Sequence, residues 1–108
     1  MDTQLKKGVL DMCMLLLVNA RDLYGYDAMK TMQSYFPEVD GANLYAVLRR
    51  LSKDLLVTTY TKKSESGPER KYYSITQHGK ERLVKLCNDW AAIDNLLRDF
   101  GYLELILN

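Results

Sequence analysis

Apolar positions change their period along this chain, and each change marks an element. Between Leu5 and Ala20 the polar interruptions almost vanish, and from Val9 to Val18 only Asp11 is polar. A surface helix carries one apolar stripe, so this first helix is expected to make two apolar contacts, one with its own domain and one with a second surface. A central core helix is the alternative. Arg21 to Gly25 reads as a turn, with Gly25 free to adopt angles that other residues resist. Tyr26, Met29, Met32 and Phe36 recur at three-to-four spacing and predict a second helix, which Pro37 ends. Three residues, Pro37 to Val39, then lead to Asp40. So short a join holds two helices in contact, as a helix-turn-helix requires.

Asp40 is placed to cap the free amides of a third helix. Leu44, Leu48, Leu51 and Leu55 follow at spacings of four, three and four, one apolar face. Ala42, Ala46, Arg49, Arg50 and Lys53 point the other way, with Asn43 and Tyr45 on the shoulders. The period then drops to two: Val57, Thr59 and Thr61 alternate with Thr58, Tyr60 and Lys62. SESGPE, Ser64 to Glu69, is a turn, and Arg70 to Ile75 returns as a second strand with Tyr73 and Ile75 toward the core. Two strands this short need the preceding helix for support. A helix-turn-helix followed by a basic-tipped hairpin reads as a winged helix-turn-helix, mainly α with a small β-hairpin.

Thr76 is a plausible cap for a last long helix, with Gly79 tolerated in its first turn. Leu83, Leu86, Trp90, Ile93, Leu97 and Phe100 fall at spacings of three, four, three, four and three, a heptad seam. Gly101 breaks the run, leaving YLELILN as a short apolar tail or a frayed end. Residues 1–75 thus form the winged helix-turn-helix domain and 76–108 a C-terminal dimerisation helix and tail. The apolar first helix and the seam together predict a homodimer, with Val9, Cys13, Leu16, Leu83, Leu86, Trp90, Ile93 and Leu97 at its interface. The same two helices pairing within one chain is the alternative, but it would leave a monomer with a large apolar patch.

Charge sharpens this picture once it is divided. A net charge of +1 is low for a nucleic-acid binder, yet residues 41–75 carry seven Lys/Arg against three Asp/Glu. Residues 1–40 carry four against six, and residues 76–108 four against five. The positive charge is gathered in the helix-plus-hairpin segment, where location matters more than the total because screening limits its reach to about 8–10 Å. At 108 residues the chain is one domain, or half of an obligate pair. No apolar run reaches a membrane span. Two lysines before an apolar run mimic a signal peptide, but Asp11 interrupts it and the domain needs that helix. Cys13 and Cys87 sit in helical apolar patterns and read as buried free thiols, consistent with a reducing cytoplasm. His78 is the only histidine, at an expected helix start, and no glycine-rich phosphate loop, metal-ligand cluster or paired carboxylate cleft appears. No catalytic residue, metal or cofactor is expected.

The strings LKKGVLDMCMLLLV, YGYDAMK, NLYAVLRRLSKDLL and above all SESGPERKYYSITQHGKERL resemble the PadR family of bacterial transcriptional regulators. The resemblance runs from Leu5 to about Phe100, and its single C-terminal helix is similar to the small subfamily that includes the lactococcal multidrug-binding repressor. It implies a winged-helix dimer in the bacterial cytoplasm, built on the first and last helices, that represses a palindromic operator and releases it on binding a small molecule. Trp90 is similar in position to a tryptophan that stacks on flat cationic drugs in that relative, and Asp94 to an acidic residue of the same pocket, implying an aromatic or cationic effector. Trp90 as a large core knob is the alternative. Ala46 departs from the proline that usually follows the Leu-Tyr pair, and Asn43 from the usual threonine.

The expected function is therefore a DNA-binding transcriptional regulator, with double-stranded DNA and a second copy of the chain as partners. Asn43, Tyr45, Arg49, Arg50 and Lys53 are the candidates on the recognition helix, and Lys62, Lys63, Arg70 and Lys71 those on the wing. A winged-helix module that meets an acidic protein instead of DNA is the alternative.

Overall fold

The computed structural model describes residues 1–107, the Thr3 side chain excepted; the Asn108 end of the expected tail lies outside them. Helix α1 spans Thr3–Ala20, and Asp2 accepts a hydrogen bond from the Gln4 amide at 2.8 Å to cap it. Met14, Leu15 and Val18 sink from α1 into the core, while Val9 and Cys13 are half-buried and Leu16 is exposed. The helix therefore spends one apolar face on its own domain and leaves another only partly covered.

Where a plain turn was expected, Leu23–Tyr24 form a short strand, β1. It pairs antiparallel with β3 (Arg70–Ile75), Leu23 opposite Tyr73 and Tyr24 opposite Tyr72. Burial of Leu23 beside Tyr73 explains why these two residues extend instead of coiling. Helix α2 is Gly25–Tyr35, and its buried face is Gly25, Ala28, Met29 and Met32. Tyr26, expected on that face, is exposed. A Cβ on Gly25 would stand 3.0 Å from the Tyr73 ring, so the glycine serves close packing.

Helix α3 is Gly41–Lys53, and Asp40 caps it by accepting from the Asn43 amide at 2.9 Å. Leu44, Leu48 and Leu51 are buried, as the spacing predicts, and Val47 with them, but Leu55 is not the fourth member of the stripe. It stands 70% exposed with φ 61°, and Leu56 is buried in its place. The Leu56 amide donates to the Leu51 carbonyl at 2.9 Å and the Leu55 amide to Ser52 at 3.1 Å. That pair of bonds closes the helix with a left-handed residue just past its end, a position usually given to glycine. The reversal delivers the chain into β2, Val57–Lys62. β2 pairs with β3 from Val57 opposite Ile75 to Lys62 opposite Arg70, giving a sheet ordered β1-β3-β2. Tyr73 faces the core, as expected.

Helix α4, Gln77–Asp99, starts on this core and leaves it. Only Gly79 and Leu83 of its residues are buried. The Thr76 hydroxyl accepts from the Gly79 amide at 2.9 Å and lies 2.7 and 3.0 Å from the Leu55 and Leu56 carbonyls, to which it can donate. The Leu56 carbonyl also accepts from the Thr76 amide at 3.1 Å. A Cβ on Gly79 would lie 2.0 Å from that carbonyl oxygen, so glycine is demanded here and not merely tolerated. From this anchor α4 runs about 34 Å at 1.5 Å per residue, and the molecule reaches 53 Å in its longest dimension. Gly101, φ 88°, turns the chain into a final helix α5, Tyr102–Leu107.

Candidate nucleic-acid interface

The exposed side of α3 carries Ala42, Asn43, Arg49, Arg50 and Lys53, brought there because the apolar residues of the same turns are used by the core. Arg49 and Lys53 have no carboxylate partner among the described residues. Arg50 does: its guanidinium bonds the Asp11 carboxylate of α1. Tyr45 is half-buried, its ring 3.7 Å from where a Gly25 Cβ would be. Burial, then the neighbouring Tyr24, Tyr73 and Tyr26, push its phenol above the usual range. Much of that side chain is therefore spent on packing, leaving the other α3 candidates more available to a partner.

The wing gathers the remaining candidates. Lys62 and Arg70 stand directly opposite each other in the β2–β3 register, with Lys63 and Lys71 next to them. Like charges directly opposed across strands destabilise a hairpin, and none of the four has a carboxylate partner among the described residues. Aromatic rings hold three of them instead. The Arg70 guanidinium lies 4.8 Å from the Tyr24 ring centre, Lys62 5.6 Å from Tyr72 and Lys71 5.6 Å from Tyr73. Tyr72 in turn stacks on Tyr60 at 5.6 Å, and the Tyr60 hydroxyl donates to Asp22 at 2.7 Å. A row of tyrosines across the three strands thus stiffens the hairpin beneath its cations. Ser64 donates to the Pro68 carbonyl at 3.0 Å and gathers the loop. Such an arrangement can place two basic elements, a helix and a hairpin tip, on one polyanion.

Residues 14–85 match the sequence profile of the transcriptional regulator PadR-like family. The chain belongs to that family. A PadR-like transcriptional regulator from Bacillus cereus shares its fold with a TM-score of 0.83 and 31% identity, over 93% of this chain and 98% of that one. A Streptococcus transcriptional regulator gives 0.81 and 28%, over 92% and 98%. Uncharacterized protein X of Lysinibacillus sphaericus is 34% identical over 96 residues, 84% of this chain and 86% of its own length. PadR-like regulators are DNA-binding and not enzymes, so the winged-helix DNA-binding reading stands at the level of family and fold. No helix among the described residues is long and apolar enough to cross a membrane.

The other residues singled out on the PadR resemblance lie along α4. Trp90 is half-buried. Asp94 already accepts from the Tyr102 hydroxyl at 2.5 Å and from Arg98 Nε at 2.8 Å. These two bonds, the tyrosine first, hold its carboxyl below the usual range. Its charge is thus engaged within the chain, where the resemblance had it facing a cation. Leu83, 5% exposed, belongs to the core of its own domain. Leu86 is half-buried, whereas Ile93, Leu96, Leu97 and Phe100 are exposed, the last by 79%. On α1, Cys13, Leu16 and Leu17 line an apolar groove of about 310 Å³ with Met32, Tyr35 and Phe36. Burial raises the Cys13 thiol above its ordinary value, so it stays protonated and apolar in character. The Leu55 turn, the β1 strand and the Arg50–Asp11 pair are the parts of this interface that spacing did not reveal. The first two have no glycine or alternating run to signal them, and the third joins residues 39 apart in sequence.

Proposed function

We propose that this PadR-like chain acts as a homodimeric repressor in the bacterial cytoplasm, with α3 reading a major groove and the wing resting on the adjacent backbone. The observation that carries this is the set of basic side chains without carboxylate partners among the described residues, Arg49 and Lys53 on α3 and Lys62, Lys63, Arg70 and Lys71 on the wing. Opposed cations kept on a hairpin favour an anionic partner, and a regulator family makes that partner duplex DNA. The exposed seam of α4 and the partly covered face of α1 supply the surfaces for a second copy, which pairs two recognition helices. A two-fold dimer needs a palindromic operator with half-sites about one helical turn, roughly 34–36 Å, apart or a multiple of it. A flat aromatic ligand held between the two Trp90 side chains releases the operator by favouring another spacing of the α3 helices. Because Asp94 is engaged by Arg98 and Tyr102, stacking contributes more to such a ligand's binding than charge does.

The deciding experiment is a gel shift with the intergenic DNA upstream of the protein's own gene, in the presence of nonspecific competitor. A discrete, competitor-resistant complex is expected. Arg49→Ala should weaken it by about 1–3 kcal/mol if that residue reads a base. Retardation that is only smeared and is removed by competitor, with Arg49→Ala indistinguishable from wild type, would instead favour an acidic protein partner for the basic face.

A further inference from the structure

Beside the recognition helix lies a cleft that neither α3 nor the wing accounts for. Lys6 and Lys7 from the start of α1 and Asn43, Ala46 and Arg50 from α3 line it, and its volume is about 350 Å³. Two of its three cations are held by carboxylates at its edge. Lys6 Nζ lies 3.3 Å from Glu38, and the Arg50 guanidinium bonds Asp11. Lys7 is exposed and has no carboxylate partner among the described residues. Three positive charges against two negative leave the cleft net basic, while the chain around it, residues 1–40, carries more acid than base. Ala46, with nothing beyond Cβ, leaves room within it. Asn43 and Arg50 also stand on the exposed face of α3, so the cleft opens beside the surface that enters the groove.

We propose that this α1–α3 cleft is a binding site for a backbone phosphate of the duplex. Lys7 contacts the phosphate directly, and Arg50 passes to it from Asp11. The proposal rests on the DNA-binding reading of α3. It gives α1, the helix read as part of the dimer interface, a second role at the DNA, so that a shift of α1 against α3 changes how Arg50 is shared between Asp11 and phosphate. In the free chain the Asp11–Arg50 pair keeps the arginine ordered; on the duplex a stronger anion takes it over.

The test uses the full chain and a fluorescein-labelled, mixed-sequence duplex of about 30 bp, with anisotropy titrations between about 50 and 200 mM KCl. Lys7→Gln should make the slope of log affinity against log salt shallower by about 0.9 for each lysine withdrawn from the complex. Arg49→Gln serves as the reference for the α3 face. Asp11→Asn should tighten binding about three- to tenfold, and a double-mutant cycle should show that gain disappearing in an Arg50→Gln background. A Lys7→Gln slope equal to wild type, while Arg49→Gln changes it, overturns the cleft and leaves the α3 reading standing. An Asp11→Asn gain that persists without Arg50 overturns the hand-over, because it is then a general effect of removing charge. Absence of salt-dependent duplex binding by the wild-type chain overturns the DNA reading and this proposal together.

Discussion

The winged-helix part of the molecule and the α4–α5 arm use similar apolar spacings to opposite ends. In α3, leucines three and four apart are buried, Leu44 and Leu48 with no exposure at all. In α4 the same spacing ends on Ile93, Leu97 and Phe100, all exposed. The difference is closure. The first three helices and the sheet surround one core and turn their cations outward, whereas α4 leaves that core after Leu86 and Cys87 and carries the rest of its seam into open space. An apolar stripe specifies that a surface will be covered, and only the tertiary path specifies by what.

The largest expected effect tests the closed side of that contrast. Leu48→Ala removes a side chain with no exposure and should lower stability by about 2–5 kcal/mol in urea unfolding. A loss below 1 kcal/mol, roughly that of a surface site, would show that the core is not closed around α3.

Next comes the joint between the two regions. Gly79→Ala sets a Cβ 2.0 Å from the Leu56 carbonyl oxygen, which also accepts the Thr76 amide, so neither side can yield cheaply. Overpacking of this kind should cost about 3 kcal/mol, measured by urea unfolding and accompanied by a change in Trp90 fluorescence as α4 lifts. An Ala variant as stable as wild type would mean that α4 does not dock on the end of α3. Stability is the readout in both experiments, and neither touches the exposed seam.

The open side is tested by Leu97→Asp. In the proposed dimer, a charge on the seam should weaken self-association at least tenfold, about 1.4 kcal/mol, and sedimentation should move from dimer toward monomer while far-UV circular dichroism keeps the helical signal. A variant that sediments as the wild-type protein does would remove the seam from the proposed interface.

Much of the closed region could be read from residue types in order. Asp40 and Thr76 act as the caps they resemble, the alternating run at Val57 becomes β2, and Tyr73 turns inward. These features are local, and their causes lie within a few residues. What escaped is set at a distance. Leu23 and Tyr24 extend because β3, about fifty residues on, offers them an edge. The need for Gly79 comes from the Leu56 carbonyl on another element. Arg50, one more cation on a basic face by its spacing, is committed to Asp11 across 39 residues. Asp94 is likewise committed, because Gly101 turns Tyr102 back onto it. Charge counted along the chain does not distinguish a cation waiting for a partner from one that has it.

The smallest effect lies where α3 passes into the joint. Leu55 holds φ 61° with its side chain largely in solvent, so its Cβ is strained and little burial compensates it. A left-handed non-glycine residue costs on the order of 1–3 kcal/mol, and glycine gives back part of that through the greater freedom of the unfolded chain. Leu55→Gly should therefore stabilise the protein by roughly 0.5–1 kcal/mol, seen as a higher urea midpoint at unchanged slope. Leu55→Ala separates the causes, since it removes the same exposed side chain but keeps the Cβ. If alanine stabilises as much as glycine, the gain comes from shedding exposed apolar surface and the backbone is not strained. If only glycine does, the end of α3 carries a strain that the Leu56–Gly79 joint holds in place, which ties the closed region to the arm through one left-handed residue.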